Sequence, residues 1–471
     1  MKTIYLSYLL FSFLLLLSAC ENDDAILTPA DLIESIQSEV RQDNSLRVDI
    51  TITFLRETEY SISYWPTDDE SLKKETMMAQ ANGKAVATLV LLEPDRQYSF
   101  SLNASSGNAQ VVSDIYSFTT RPLPSDVPVY NMIQNRLDEE IPGYVLQVRM
   151  DKPGYITLMN SEGEVLWYQN MEKAVKVANF DPATNTFFAI LGDHPEKEYT
   201  GDWIVVMDLF GNIVLERESG DLYPHHEIRR MPDGNLLVVN FVPRKYDLSM
   251  WGGDTDETVW GDGFTILDID GKILYQWDCF EEMDPRDDPD IMKMVAITSV
   301  LENPIWYKDD WLHANSVNFD EEGNFYMTFN WLNQLWKINK TTGDVEYRVG
   351  IDGNIEITES AYTSGIHTAM PLKQDQVLLI DNGSTRQKTR ALIYDVDKTS
   401  QKADLLLDVA LPKELSSAYM SSVQKIGNDM LMFGSTFPCA VIYTDMKGEI
   451  KRVITGLHQS YRAEYIAEIS Y

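Results

Sequence analysis

From about Val129 to the end of the chain the sequence repeats with a period of about fifty residues. Each unit closes on a turn and a β-rich run. The copies are Gly163-Glu164-Val165-Leu166-Trp167-Tyr168, Gly211-Asn212-Ile213-Val214-Leu215, Gly271-Lys272-Ile273-Leu274-Tyr275-Gln276-Trp277, Gly343-Asp344-Val345-Glu346-Tyr347, a weaker Ala403-Asp404-Leu405-Leu406-Leu407, and Gly448-Glu449-Ile450-Lys451-Arg452-Val453. Most are preceded by an apolar strand ending in aspartate, as in Trp203–Asp208 and Gly263–Asp268. Before that comes a turn and strand such as Asp233-Gly234-Asn235-Leu236 or Glu322-Gly323-Asn324-Phe325. Several short strands per unit, with turn residues at constant phase, is the pattern of a propeller blade. A row of separate sandwiches would require each unit of about fifty residues to close its own core, which is marginal at that size. The expectation is an all-β chain with a six-bladed β-propeller over residues 131–471.

The amino-terminal quarter lacks this period. Residues 28–122 read as alternating strands, Leu46–Ile52, Tyr60–Trp65 and Gln97–Leu102 among them, which predicts a small β-sandwich. Leu92-Glu93-Pro94-Asp95-Arg96-Gln97-Tyr98 followed by Ile115–Thr120 resembles the late strands of a fibronectin type III or immunoglobulin-like module. Pro122, Pro124 and Pro128 make residues 123–130 a stiff linker. At the start, Lys2 and the apolar run Leu9–Leu17 are too short for a bilayer span and fit the core of a signal peptide over residues 1–19. Leu17-Ser18-Ala19-Cys20 resembles the lipobox of bacterial lipoproteins, which implies lipidation of Cys20 and a lipidated linker over residues 20–27. The expected location is the bacterial cell envelope, as an outer-membrane lipoprotein facing the periplasm or the exterior.

Charge narrows the partners. There are 73 Asp and Glu against 39 Lys and Arg, a formal net charge of −34, which argues against nucleic acid and against binding to anionic headgroups. Membrane attachment would then rest on the lipid anchor. After Cys20 only Cys279 and Cys439 remain, so a single disulfide and two free buried thiols are both open, and no metal site is expected from cysteine. The acidic stretch Asp284-Pro285-Arg286-Asp287-Asp288-Pro289-Asp290 lacks the glycine and spacing of an EF-hand and reads as a solvated loop.

Three of the six histidines share one phase of the repeat. His226 lies ten residues before Leu236, His367 ten before Val377 and His313 twelve before Phe325, each at the start of the first strand of its unit. First strands line a propeller's central channel, so equal phase predicts that the three imidazoles converge. Such a trio can ligate a metal, or it can attack and bind a tetrahedral anion, one ring as nucleophile and the others as hydrogen-bond donors.

Pro224-His225-His226-Glu227-Ile228 running into Pro232-Asp233-Gly234-Asn235, then Trp311-Leu312-His313-Ala314-Asn315-Ser316-Val317, then His367-Thr368-Ala369 with Asp381-Asn382-Gly383 resemble, in order, the bacterial aryl-sulfate sulfotransferases. The resemblance implies a six-bladed propeller that moves a sulfuryl group from an aryl sulfate to a phenol without a nucleotide donor or any cofactor. It implies His367 as the nucleophile, with His226, His313 and Asn315 holding the sulfuryl oxygens, and His225 as a neighbour. The family's arginine after the second histidine motif has no counterpart in Thr328-Phe329-Asn330-Trp331-Leu332-Asn333, where Asn330 or Trp331 takes its place. Arg386 and Arg390 match basic positions of the family and are the expected replacement; with Trp331, Asn330 and Ser421 they make the expected substrate-binding set. Tyr223, Trp311 and Tyr362 are further candidates for stacking on aryl rings. A propeller of this family that binds its ligand without turning it over is the competing expectation, and it draws on the missing arginine.

Overall fold

The structure, a computed structural model, describes residues 27–138, 140–197, 199–295 and 305–471. The segment read as a signal peptide, and Cys20, lie outside the described residues. Among those described, no helix is long and apolar enough to cross a membrane.

The amino-terminal unit consists of two antiparallel sheets. Ile33–Val40, Val48–Phe54 and Lys84–Leu89 form one; Lys74–Glu75, Thr58–Pro66, Gln97–Ser106 and Ala109–Val112 form the other, with Ala79–Ala81 and Tyr116–Thr119 pairing onto it. Alternation in Val48–Phe54 sends Val48, Ile50, Ile52 and Phe54 inward, where they pack on Ile62, Tyr64, Phe100 and Leu102 of the second sheet in one shared core. The strand Ile33–Val40 is largely exposed, which is why its hydrophobic signal is weak in sequence.

Among the described residues of the remainder, six antiparallel sheets of four or five strands follow one another, together with the two-stranded pair Met294–Val295 and Ile305–Trp306. The second to fifth each use four consecutive strands, for example Pro224–Arg230, Leu236–Tyr246, Glu257–Leu267 and Ile273–Asp278 in the third. The runs at which the fifty-residue period is read are the fourth strands of these sheets, such as Ile213–Glu218 and Val345–Gly350. Their turns have a common chemistry. In the turns at Asp208, Asp268 and Asp445 one carboxylate oxygen accepts two backbone N–H groups, from Phe210 and Asn212 (2.9 and 2.8 Å), Asp270 and Lys272 (3.0 and 2.8 Å), and Lys447 and Glu449 (2.9 Å each). The third residue after each aspartate is a glycine at φ +89, +82 or +87°, a conformation that costs a side chain but not glycine.

The first strands of successive sheets, Val175–Asp181, Pro224–Arg230, Ala314–Phe319, Ile366–Lys373 and Ser422–Ile426, pack each on the next. The series closes on itself. Glu464–Ile466, from the end of the chain, pairs with Tyr144–Arg149 of the first sheet and packs on Ser422–Ile426 of the last. Large rings seal neighbouring sheets: Trp167 stacks on Phe187 at 4.3 Å and donates to the Leu209 carbonyl at 2.7 Å, and Trp277 donates to the Gly343 carbonyl at 2.9 Å. Burying such a side chain contributes about 1.5–3 kcal/mol, and its hydrogen bond about 1 kcal/mol more.

The two parts touch directly. Asn44 donates to the Tyr168 carbonyl at 2.9 Å, the Arg47 guanidinium lies 5.3 Å from the Trp167 ring, and the Tyr64 and Tyr471 hydroxyls are 2.5 Å apart. The two cysteines are both free, so the disulfide left open by the sequence is not formed. Cys279 is buried, which pushes its thiol well up, while Cys439 is half-buried.

Candidate active site

The three first strands that carry the histidine motifs each break register at the motif. The irregularities fall between Pro224 and Ile228, between Ala314 and Ser316, and between His367 and Ala369. A bulge leaves a residue out of the ladder and re-aims side chains at a strand end. Backbone strain collects at the same places: His226 (φ +58°), Leu312 (+75°), His313 (+50°) and Ser421 (+81°) are left-handed without being glycine. Each costs of order 1–3 kcal/mol and persists because the surrounding packing over-determines it.

His226 and His313 come together with ring centroids 5.3 Å apart, and the buried Tyr461 ring lies 5.3 Å from His226 on another side. His225 is closer to the site than a mere neighbour. Its Nδ1 is 2.6 Å from Nδ1 of His226, so one of the two carries the hydrogen and the other accepts it, and its Nε2 is 3.6 Å from the buried Asp262 carboxylate. His313 turns Nδ1 toward Asp310 Oδ2 at 2.6 Å and sets its ring 5.0 Å from that of Trp331.

His367 is buried, with Nδ1 3.2 Å from the Gly365 carbonyl and Nε2 accepting the Met420 N–H at 3.2 Å. A carbonyl accepts only, so the hydrogen sits on Nδ1, and Nε2 bears the lone pair that accepts the Met420 N–H. Burial lowers the His367 pKa to about 3, with the Gly365 contact opposing and the charges of His313 and Arg462 adding to the fall. Burial also lowers His225 to about 3, and holds His226 well below the usual imidazole range with help from His225, His313, His367 and Arg462. These three rings are therefore neutral at ordinary pH.

Asn315 and Asn330 hold the backbone just before His367. Both donate to the Ile366 carbonyl, at 2.8 and 3.0 Å, and Asn315 Oδ1 accepts the Thr328 hydroxyl at 2.6 Å. Asn330 also accounts for the register of the His313 loop, its backbone N–H donating to the His313 carbonyl at 2.9 Å. Trp331 donates through Nε1 to the Asp310 carbonyl at 2.9 Å and borders a cavity of about 360 Å³ lined by Asp288, Asp290, Lys293 and Tyr307. Ser421 lies beside Met420, its hydroxyl donating to the Tyr419 carbonyl at 3.3 Å and accepting the Thr436 N–H at 3.2 Å.

The two arginines expected to supply charge are engaged elsewhere. Arg386 and Arg390 both bind Asp381 Oδ2, at 3.2 and 2.8 Å, and both donate to the Tyr362 carbonyl, while Arg390 also reaches Asp408 at 2.9 Å. They brace the segment leading into His367. Trp311 is fully buried and donates to Asp288 at 3.0 Å, and Tyr223 donates to Glu196 at 3.0 Å.

Cations that the sequence reading did not single out are nearer the rings. Arg462 is buried, ion-paired to Glu227, donates to the Asn315 carbonyl at 2.7 Å and lies 5.0 Å from the Tyr461 ring. Lys197 lies 4.3 Å from the Phe241 ring and 4.9 Å from Trp260, and its charge acts on His225, Asp262 and Asp310. Neither belongs to a repeat motif; the one local signal is that Arg462 stands just before the strand that closes the first sheet. Among the described residues no group of three or more His, Cys, Asp or Glu side chains is arranged to hold a metal ion.

The family model described as Arylsulfotransferase (ASST) matches residues 129–464. No curated protein matches the sequence. Among solved structures, a protein of unknown function from Bacteroides caccae is 10% identical with a TM-score of 0.44, covering 69% of this chain and 100% of its own. Virginiamycin B lyase from Staphylococcus aureus is 13% identical at 0.34, with 69% and 88% covered. An auxiliary nutrient binding protein from Bacteroides thetaiotaomicron is 8% identical at 0.35, with 89% and 84% covered.

Proposed function

The chain belongs to the arylsulfotransferase family, and from that premise we propose that it transfers a sulfuryl group from an aryl sulfate to a phenol through a sulfated His367. The observation that carries the reading is the state of His367: a buried, neutral imidazole whose proton is held on Nδ1 by the Gly365 carbonyl, with Nε2 bearing a lone pair. In the first step Nε2 attacks sulfur, the N–S bond forms, the S–O bond to the aryl group breaks, and the phenolate leaves and takes a proton from solvent. In the second, the oxygen of an acceptor phenol attacks the same sulfur, the N–S bond breaks, and the acceptor's proton is released. His226 and His313 face the transferring group as donors, and the Met420 N–H turns from Nε2 to a sulfuryl oxygen. The cavity bordered by Trp331 is of a size to take an aryl ring.

On the same reading the six sheets are the blades of one propeller, the amino-terminal unit is a fibronectin-like spacer, and Cys20 carries the lipid that holds the protein at the outer membrane. The test is mass spectrometry after mixing with an aryl sulfate alone. A sulfuryl increment on His367, with release of phenol that is lost in His367→Ala, is the expected result; phenol release that survives the substitution sinks the mechanism. A second reading, ligand binding without turnover, is favoured by one observation, the capture of Arg386 and Arg390 by Asp381. It predicts binding of the aryl sulfate with no phenol released.

A further inference from the structure

We propose that Asn382 is a positioning residue for His367: its Oδ1 is the second acceptor that holds the ring hydrogen on Nδ1, and so keeps a lone pair on the nitrogen that faces sulfur. The inference rests on the proposed reading in that His367 is the nucleophile.

The tautomer of His367 is contested by its surroundings. The Gly365 carbonyl, 3.2 Å from Nδ1, calls for a hydrogen there, but Asn330 Nδ2, itself a donor and committed to the Ile366 carbonyl, lies 3.4 Å from the same nitrogen and favours a lone pair. A second acceptor on that side decides the balance, and Asn382 is placed to be it. Ile366 pairs with Asp381 and His367 with Ile380, so Asn382, two residues on from Ile380, lies on the same face as His367 and diagonal to it. Its backbone N–H donates to the Gly365 carbonyl at 3.0 Å, the oxygen that Nδ1 faces, whereas Nε2 is turned to the Met420 N–H. The nitrogen on the Asn382 side is therefore Nδ1.

The amide is also held the right way round. Asn382 is 1% exposed, and its Nδ2 donates at 3.0 Å to the Ser417 carbonyl, which accepts the Thr389 hydroxyl as well. A carbonyl cannot donate, so the amide is not flipped and Oδ1 is the atom left over. That oxygen is enclosed and receives no hydrogen bond of full geometry from any other group among the described residues. A buried acceptor left without a donor is costly. Burial lowers the proton affinity of the His367 ring, and the Asn382 side chain opposes that fall alongside the Gly365 carbonyl, as an acceptor of a ring N–H does.

When Nε2 attacks sulfur, both ring nitrogens are substituted and the ring becomes positive. The Nδ1–H is then a stronger donor, and its bonds to Gly365 and Asn382 tighten. A neutral amide accepts that hydrogen without removing it, so the ring stays positive and sulfur stays electrophilic. When the acceptor oxygen takes the sulfuryl group, the N–S electron pair returns to Nε2 and the ring is neutral, its hydrogen still on Nδ1. The imidazole neither gains nor loses a proton over the cycle.

The test is nitrogen-15 NMR of the full protein labelled at histidine, near neutral pH, with His367→Gln to assign the signal. Wild-type His367 carries its hydrogen on Nδ1, and that hydrogen shows a nuclear Overhauser contact to the Asn382 side chain. In Asn382→Ala, with Asn330 Nδ2 left beside the ring, the ratio of the Nδ1–H to the Nε2–H form falls about 5- to 10-fold, the range for one net hydrogen bond. The first-turnover release of phenol at saturating aryl sulfate slows by a similar factor, while the donor concentration for half-maximal rate stays within about twofold. Should the variant fail to fold, the wild-type readings decide: a hydrogen on Nε2, or a hydrogen on Nδ1 without contact to Asn382, overturns the inference. An unchanged ratio in folded Asn382→Ala does the same. A protein with the expected readings whose His367 is never sulfated loses the transfer reaction and keeps this inference; a sulfated His367 whose tautomer ignores Asn382 does the reverse.

Discussion

Replacing His367 by asparagine removes a group whose proton affinity differs greatly between the folded and unfolded chain, and stability as a function of pH measures that difference. Folding lowers the His367 pKa from 6.5 to about 3, so between those values the unfolded chain binds a proton that the native protein does not. Stability is therefore lost as pH falls from about 6.5, at about 1.36 kcal/mol per pH unit, and the loss stops only near the folded value. From pH 7 to pH 4.5, which stays above that folded value, His367 alone accounts for a loss of about 2.5 kcal/mol. His225 and His226 act in the same direction and Asp262 in the opposite one, but all three remain in both proteins, so the comparison of slopes isolates His367. The assay is urea unfolding followed by tryptophan fluorescence at the two pH values. His367→Asn is expected to lose about 2.5 kcal/mol less than wild type over that range, whatever its stability at pH 7. Equal losses in the two proteins would refute the buried neutral imidazole, and with it the lone pair on which the proposed attack depends.

Two further substitutions separate the roles of the basic residues. Glu227→Gln leaves the buried Arg462 without its ion-pair partner and is expected to lower stability by about 3–5 kcal/mol, read from the urea midpoint at neutral pH; a change under about 1 kcal/mol would show that Arg462 is not held as described. Arg390→Met breaks a pair buried on Asp381 and is expected to cost a comparable amount of stability while leaving sulfate affinity within about twofold of wild type. A tenfold fall in affinity would return Arg390 to the anion site.

What could be read from sequence was local. The aspartate-to-glycine turns at Asp208, Asp268 and Asp445 are satisfied within four residues, so they recur as a visible pattern and mark strand ends correctly. His226, His313 and His367 each sit at the start of a first strand, a phase that is local to each motif, although the bulges at those starts leave no trace in hydrophobic alternation. The charges were not legible. Arg386 and Arg390 look available because nothing in a linear sequence says that Asp381, Asp408 and the Tyr362 carbonyl surround them. Arg462 finds Glu227 across 235 residues, and Asp262 meets His225 only after the strands on either side of Leu236–Tyr246 have folded into one sheet, so neither pair has a spacing to detect. The hydrogen-bonded His225, passed over as a neighbour of His226, has the same cause: adjacency in sequence normally points side chains apart, and the left-handed His226 brings the two rings together.

Those long-range pairings are what would let a chain with a formal net charge of −34 keep the anion pocket proposed for it. Bulk acidity repels an anion over distances of about a Debye length, about 8–10 Å at physiological salt, whereas the pocket is governed by charges within a few ångströms in a less polarisable medium. There Asp262 is silenced by its proton, Glu227 by Arg462, and Asp381 lies under two arginines, so the acidic side chains nearest the rings present little uncompensated charge. Asp310 has the charge of Lys197 set against it and stands in hydrogen-bond contact with His313 Nδ1. The same arrangement that lowers the repulsion sets the Asp310 carboxylate against an imidazole of the proposed site.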